Sequence, residues 1–407
     1  MEKISFKYNN RYLYILVMLS MTFPLFNHLP IFQRHYIFIL LGFVLLFLSA
    51  REFFVQNFSV ALILHVIISY LNFLEGDSIY SSLSSVINEA IRLALSMGIF
   101  YSLVKYSDRS LFHFLFIIFI FFLIESTIVA AIANHLFPGI MRYTASAESA
   151  EEASFVLAPF EKYGMSDYSM PHAIPALVPG LVYGYRKTKG YLKWTFLVAI
   201  ATAIVLVYVS NSSTALILAV LVFLFTILIK PNSSSRNVLS ILLVFAVLSV
   251  FLTNKNVQLN SLHLIENYVP EETNIHRKVL DIESSIEHES VEGTVENRTI
   301  QYDITFNEFI SHPFLGTTNM VGGHSSILDR FATLGLIGMI PFIFMIVLFA
   351  KFVIRKLPKE KRFYFILGLF AALIMMLAKN SMTWSMWLLV FLLLPGILLF
   401  YGDDLRG

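Results

Sequence analysis

The sequence predicts an all-α polytopic membrane protein with about 12 transmembrane helices, and three observations carry that prediction. Of the 407 residues, 57% are apolar and only 14% are charged, against roughly 45–50% and about 25% in a soluble domain. Mean hydropathy is +0.73. The apolar residues come in runs of about 16 to 25, long enough at 1.5 Å per residue to cross a ~30 Å hydrocarbon core as helices. The breaks between runs are mostly short and charged. A transmembrane barrel would instead alternate apolar and polar residues over strands of ~10 residues.

In chain order the spans fall at roughly 12 to 29, 36 to 50, 54 to 73, 83 to 104, 111 to 137, 171 to 185, 194 to 209, 212 to 229, 238 to 253, 326 to 350, 363 to 377 and 382 to 400. The first follows Lys3, Lys7 and Arg11 like a signal peptide, but Pro24, Phe26 and His28 stand where small residues would mark cleavage, so it reads as a retained span. Basic residues gather before it, over Arg186, Lys187, Lys189 and Lys193, and from Lys351 to Arg362. The positive-inside rule then places the N- and C-termini in the cytoplasm. The chain divides into N-terminal helices (1–137), a first outside loop (138–170), central helices (171–253), a large outside loop (254–325) and C-terminal helices (326–407).

Net charge is +2, from 29 basic and 27 acidic residues, a balance that implies no nucleic-acid partner. The chain has no cysteine, which excludes disulfides, thiolate catalysis and cysteine-bound metal. His263, His276, His288 and His312 lie in the large outside loop without paired metal-ligand spacing, so no metal is expected. That loop holds 11 acidic and four basic residues. It ends in a helical pattern from Arg298 to Ile310, with Tyr302, Phe306, Phe309 and Ile310 on one greasy face, stopped by Pro313 and Gly316. Within the spans, Glu89 and Arg92 lie three apart and are expected to pair along one helix, and Glu125 sits deep in the fifth span. Asp329 and Arg330 open the tenth span beside His324, and Lys379 lies at the outer end between the last two.

Taken in order, Arg298 and Tyr302, then His312-Pro313-x-x-Gly316, then His324-Ser325-x-x-Leu328 and Gly335-x-x-Gly338 resemble the O-antigen polymerase and O-antigen ligase superfamily of bacterial membrane glycosyltransferases. Two degenerate elements extend the resemblance over roughly 138 to 340. One is Arg142 with Pro171-His172-Ala173-Ile174-Pro175-Ala176, where His172 replaces the family's Asn. The other is Ser210-Asn211-Ser212-Ser213-Thr214-Ala215, where Ser213 replaces its Arg. The ligase branch often carries an acid nine residues after the motif His, and Thr333 stands there, which tilts the reading toward polymerase.

The resemblance implies an inner-membrane enzyme, without cofactor or metal, whose site faces the periplasm and whose substrate is an oligosaccharide on undecaprenyl pyrophosphate. Its product would be O-antigen, for lipopolysaccharide, or capsule, and a chain-length regulator protein would be a further partner beside membrane lipid. Such a reaction needs counter-charge for the departing pyrophosphate and an acceptor for the attacking hydroxyl's proton. Arginine meets the first need with a planar fork for phosphate oxygens, and histidine meets the second by titrating near neutrality. By resemblance His324 and Arg298 are the catalytic candidates, with Arg142, Arg298, Tyr302, Ser325, Arg330 and Lys379 in contact with pyrophosphate or glycan.

Each residue also has a plainer reading. Arg298 can balance Glu296 and Asp303 at the surface, His324 and the serines after it can cap a helix, and Arg142 can anchor to headgroups. The rival function is a lipid-linked oligosaccharide flippase, which Glu89, Arg92 and Glu125 within the spans would suit. Transporters, however, show paired repeats, and this sequence has none.

Overall fold

The computed structural model describes residues 50–73, 79–137, 169–210, 212–228, 294–317, 325–379 and 381–401, with residues 40–44, 46, 47 and single positions elsewhere; over 72–73, 79–88, 294–299 and at Ser213 the backbone alone is described. These residues form helices and no strand. After a single turn at Arg51–Phe54 come α1 (Asn57–Phe73), α2 (Ile79–Tyr106), α3 (Arg109–Leu136), α4 (Ser169–Lys187), α5 (Tyr191–Val209) and α6 (Ser213–Leu228). Then follow α7 (Thr294–Ser311), α8 (Ser326–Lys356), α9 (Lys359–Ala378) and α10 (Trp384–Phe400), the last with a π-helical stretch at Leu389–Leu393.

Helices α3, α5, α8 and α9 are long and apolar enough to cross a membrane, and α1, α6 and α10 are shorter apolar helices. The chain is thus an all-α, multi-pass membrane protein. The expected spans at 12 to 29, Tyr14 aside, and 238 to 253, and seven of the 15 residues at 36 to 50, lie outside the described residues. On α5, Trp194, Val198, Val205 and Tyr208 are exposed, a surface suited to hydrocarbon rather than water.

The proline-rich α4 is the centre of the bundle. Its residues from Ser169 to Gly184 are all buried, and α5, α6, α9 and α10 pack around it. Pro175 and Pro179 break its hydrogen-bond ladder, a loss more readily re-satisfied among neighbouring helices than in lipid. Small residues allow close approach: a Cβ on Gly368 of α9 would lie 2.4 Å from the Ala176 carbonyl oxygen, and one on Gly184 would meet the Phe196 ring at 2.3 Å.

One end of the bundle is basic. There Arg186, at the end of α4, donates to the Thr226 and Ile227 carbonyls that close α6, at 3.0 and 2.9 Å. Lys361 donates to the Tyr401 carbonyl at 3.4 Å and lies over the Tyr183 ring. Arg362 donates to the Leu357 carbonyl at 3.1 Å. Cations on helix C-terminal carbonyls complement the macrodipole.

Candidate functional site

The opposite end gathers the N-termini of α4, α6, α8 and α10 around the C-terminus of α9. Ser325 caps α8, its Oγ accepting from Leu328 N at 3.3 Å, and that hydroxyl reaches the Met376 carbonyl of α9 at 3.5 Å. Ser326 stitches α8 to the turn between α9 and α10. Its Oγ accepts from the backbone N–H groups of Ser381 and Met382 at 2.7 and 3.0 Å and donates to the Lys379 carbonyl at 3.2 Å. One donor and two lone pairs are all that a hydroxyl has, and here all three are used. From α7, Tyr302 Oη donates to the Ala378 carbonyl at 3.2 Å. Three neutral hydroxyls therefore cover the last carbonyls of α9.

The motif glycines form a second junction. Gly335 breaks α8 with φ +59, and Gly316 sits opposite it with φ +76. A Cβ on Gly316 would lie 2.4 Å from the Thr333 carbonyl, and one on Gly335 would lie 2.3 Å from the Phe314 carbonyl oxygen, so only glycine suits either position. The break frees N–H groups that the His312-Pro313-x-x-Gly316 turn takes up: Leu336 N donates to Pro313 O at 2.9 Å and Ile337 N to Phe314 O at 3.0 Å. In return Thr317 N donates to Ala332 O at 2.8 Å. Phe309 of α7 meets the Phe331 edge at 5.6 Å between centroids. The motif thus locks α7 onto the broken start of α8.

Two other family elements also meet. His172 Nε2 and Ser212 Oγ are 3.1 Å apart, both buried, which joins the element after Arg142 to the one where Ser213 replaces the Arg. Beside them, Ser169 Oγ lies 3.3 Å from Ser385 Oγ at the start of α10.

The charges in the bundle pair differently from expectation. Glu89 forms its ion pair with Arg330 of α8, not with Arg92 as the three-residue spacing had suggested; a neighbouring helix offers the nearer guanidinium. Arg330 also lies over the Phe342 ring at 5.3 Å, so it bridges the break in α8 as well as α2. Glu125 lies half-buried in mid-α3.

Of the expected site residues, His324 and Arg142 lie outside the described residues, and Arg298 is described only as backbone in α7, one turn before Tyr302. Tyr302, Ser325, Arg330 and Lys379 all lie at this end. Lys379 is the C-cap of α9, its carbonyl receiving Ser326. The face of α7 differs from expectation: Tyr302, Thr305 and Phe309 turn inward, whereas Phe306 and Ile310 are 53% and 56% exposed. His312 pairs with Glu308 on the helix surface. Sequence reasoning read Ser326 only as a helix cap and missed its links to Lys379, Ser381 and Met382. It also missed the turn that ends at Thr383 and the first residues of α10, which carry no motif.

No curated protein matches the chain. Residues 198–323 match the model of the O-antigen ligase family, a segment that runs from α5 through α7 to the residue before His324 and includes Arg298, Tyr302 and Gly316. The resemblance read from the motifs is borne out over that segment, which is similar to the O-antigen ligase domain of the O-antigen ligase and polymerase superfamily.

Proposed function

We propose that the protein polymerises lipid-linked oligosaccharide repeat units, moving the growing glycan from undecaprenyl pyrophosphate to the non-reducing sugar of another lipid-linked unit. One observation supports this most directly. The hydroxyls of Tyr302 and Ser326 both end on α9, at Ala378 and Lys379, and this brings the helix of Arg298 and the chain just after His324 to one helix end, where Lys379 also sits. In the reaction the bond from the sugar's C1 to the pyrophosphate oxygen breaks and one from C1 to the acceptor hydroxyl oxygen forms. His324 takes the hydroxyl proton. Arg298, with Arg142 and Lys379, holds the charge that the leaving pyrophosphate gains. The site faces the periplasm, opposite the basic end, in accord with the positive-inside rule.

The acceptor separates polymerase from ligase. Thr333 supports the polymerase, since where the ligase branch carries an acid it offers only a hydroxyl, which donates to the Asp329 carbonyl at 2.7 Å. The family model's own description supports the second reading, in which the acceptor is a lipid A core sugar.

The test is to incubate purified protein with lipid-linked repeat units and follow glycan length on a gel. The wild type gives a ladder without added core acceptor, and a requirement for core would favour the ligase. Arg298→Ala and Arg298→Lys should both lose about 10²–10³ in rate, since lysine keeps charge without the fork. His324→Ala should bind donor without extending it. Normal ladders from all three variants would refute the site.

A further inference from the structure

We propose that the turn between α9 and α10, with the first residues of α10 and Glu89 of α2, is the subsite that holds the acceptor sugar by hydrogen bonds; the proposal rests on the glycosyltransferase reading above. Ser381 Oγ, Thr383 Oγ1, Trp384 Nε1, Trp387 Nε1 and Glu89 Oε1 are buried atoms without a hydrogen-bond partner among the described residues. Four of the five fall within seven residues, from Ser381 in the turn to Trp387 in α10. Elsewhere in the protein, hydroxyls such as those of Thr127, Thr188, Thr226 and Thr305 donate to the carbonyl four residues back. Ser381 and Thr383 precede α10, so no earlier turn of that helix supplies such a carbonyl.

Buried polar atoms left unpaired cost stability, and a concentration of them marks a place that a ligand completes. The scaffold around them is firmly held. Ser326 fixes the turn through two backbone N–H groups. Arg330, one turn further along α8, holds Glu89 by its other oxygen, Oε2. Trp387 stacks on Phe391 at 5.5 Å and meets the edge of Phe342, the same ring that Arg330 covers. The start of α10 packs against α2, and the π-helical stretch follows directly at Leu389, a departure from the α-helix found often at functional sites.

The chemistry of the set identifies the class of ligand. Two indole N–H groups donate only, two hydroxyls donate or accept, and one carboxylate oxygen accepts. A carboxylate disfavours an anion, and five polar atoms disfavour a hydrocarbon. A neutral polyhydroxylated ring, which both donates and accepts at its rim, offers a partner to each kind of atom in this set, and its apolar face suits an indole. Pyrophosphate belongs with the arginines, and the acceptor sugar belongs here.

The chain has three tryptophans, and Trp194 is 68% exposed on α5. In a Trp194→Phe background the emission comes from Trp384 and Trp387 alone. The probe is the repeat-unit oligosaccharide freed from its lipid by mild acid, titrated into the purified full-length protein. A saturable change in emission is expected, weakened about tenfold by Thr383→Val or Ser381→Ala, each a single hydrogen bond to ligand. Neither substitution should lower the thermal midpoint, because each removes an atom with no internal partner. The absence of a saturable change, or a change that both variants leave intact, overturns the subsite. The ladder assay on the same preparation separates the failures: a normal ladder beside absent binding leaves glycosyl transfer standing and removes only this assignment.

Discussion

The two ends of the bundle close their helices with different chemistry. At the basic end, cations cover helix C-terminal carbonyls: Arg186 on Thr226 and Ile227, and Arg362 on Leu357. At the opposite end the C-terminus of α9 is covered by the neutral hydroxyls of Tyr302, Ser325 and Ser326. Positive charge is thus spent on the scaffold at one end, whereas at the other the capping of α9 consumes none. A site that must hold a departing pyrophosphate gains from that economy, since a guanidinium already committed to a carbonyl has fewer donors for phosphate oxygens.

The largest break in this comparison comes from the glycine lock, the element that builds the hydroxyl-capped end and has no counterpart at the basic end. Gly335→Ala would place a Cβ 2.3 Å from the Phe314 carbonyl oxygen at a positive φ. Strain and overpacking together should cost roughly 2–6 kcal/mol. A sharp fall in folded yield and thermal midpoint in detergent is expected, while Gly190→Ala, also at positive φ but with nothing within 4 Å of its Cβ, should cost only its backbone strain of about 1–3 kcal/mol. Equal losses from the two would mean that the close approach of the two backbones contributes nothing.

How far the sequence revealed this end depends on what hydropathy measures. The spans were legible because lipid contact demands apolar runs, and α4 was legible as a short span and the most proline-rich of them. Its central position was not, because burial among helices relaxes the demand for hydropathy. Likewise Phe306 and Ile310 were expected on one apolar face with Tyr302, yet they are exposed while Tyr302 turns inward. In a protein whose helices expose apolar residues widely, greasiness does not separate a packed face from an open one. The letters of the motif were readable, yet the positive φ at Gly316 and Gly335 and their mutual contact arise only in three dimensions. The partner of Glu89 comes from a helix 241 residues away, beyond any spacing rule.

That ion pair supplies the intermediate effect. Removing Glu89 as Glu89→Ala leaves Arg330 part-buried and unpaired, and should cost about 1–3 kcal/mol, less than for a fully buried pair because both side chains keep some exposure. Arg92→Ala should cost less, since Arg92 is not the partner. The measurement is the thermal midpoint of both variants, with the double variant Glu89→Ala/Arg330→Met as a control expected to recover part of the loss. A larger drop from Arg92→Ala would restore the pairing expected from spacing.

The smallest effect is also the one that best separates capping from binding. Tyr302→Phe removes one neutral hydrogen bond, to the Ala378 carbonyl, and keeps the ring. If the hydroxyl only caps α9, the cost is about 1 kcal/mol, read as a slight fall in thermal midpoint, with chain extension reduced no more than folded protein is. If the hydroxyl also contacts glycan, extension should fall well beyond that at matched folded protein. At the basic end Arg186→Gln removes a charge-assisted cap of α6 and should cost a comparable roughly 0.3–2 kcal/mol, with extension per folded molecule unchanged. Loss of extension from Arg186→Gln, with none from Tyr302→Phe, would reverse the assignment of scaffold and site between the two ends.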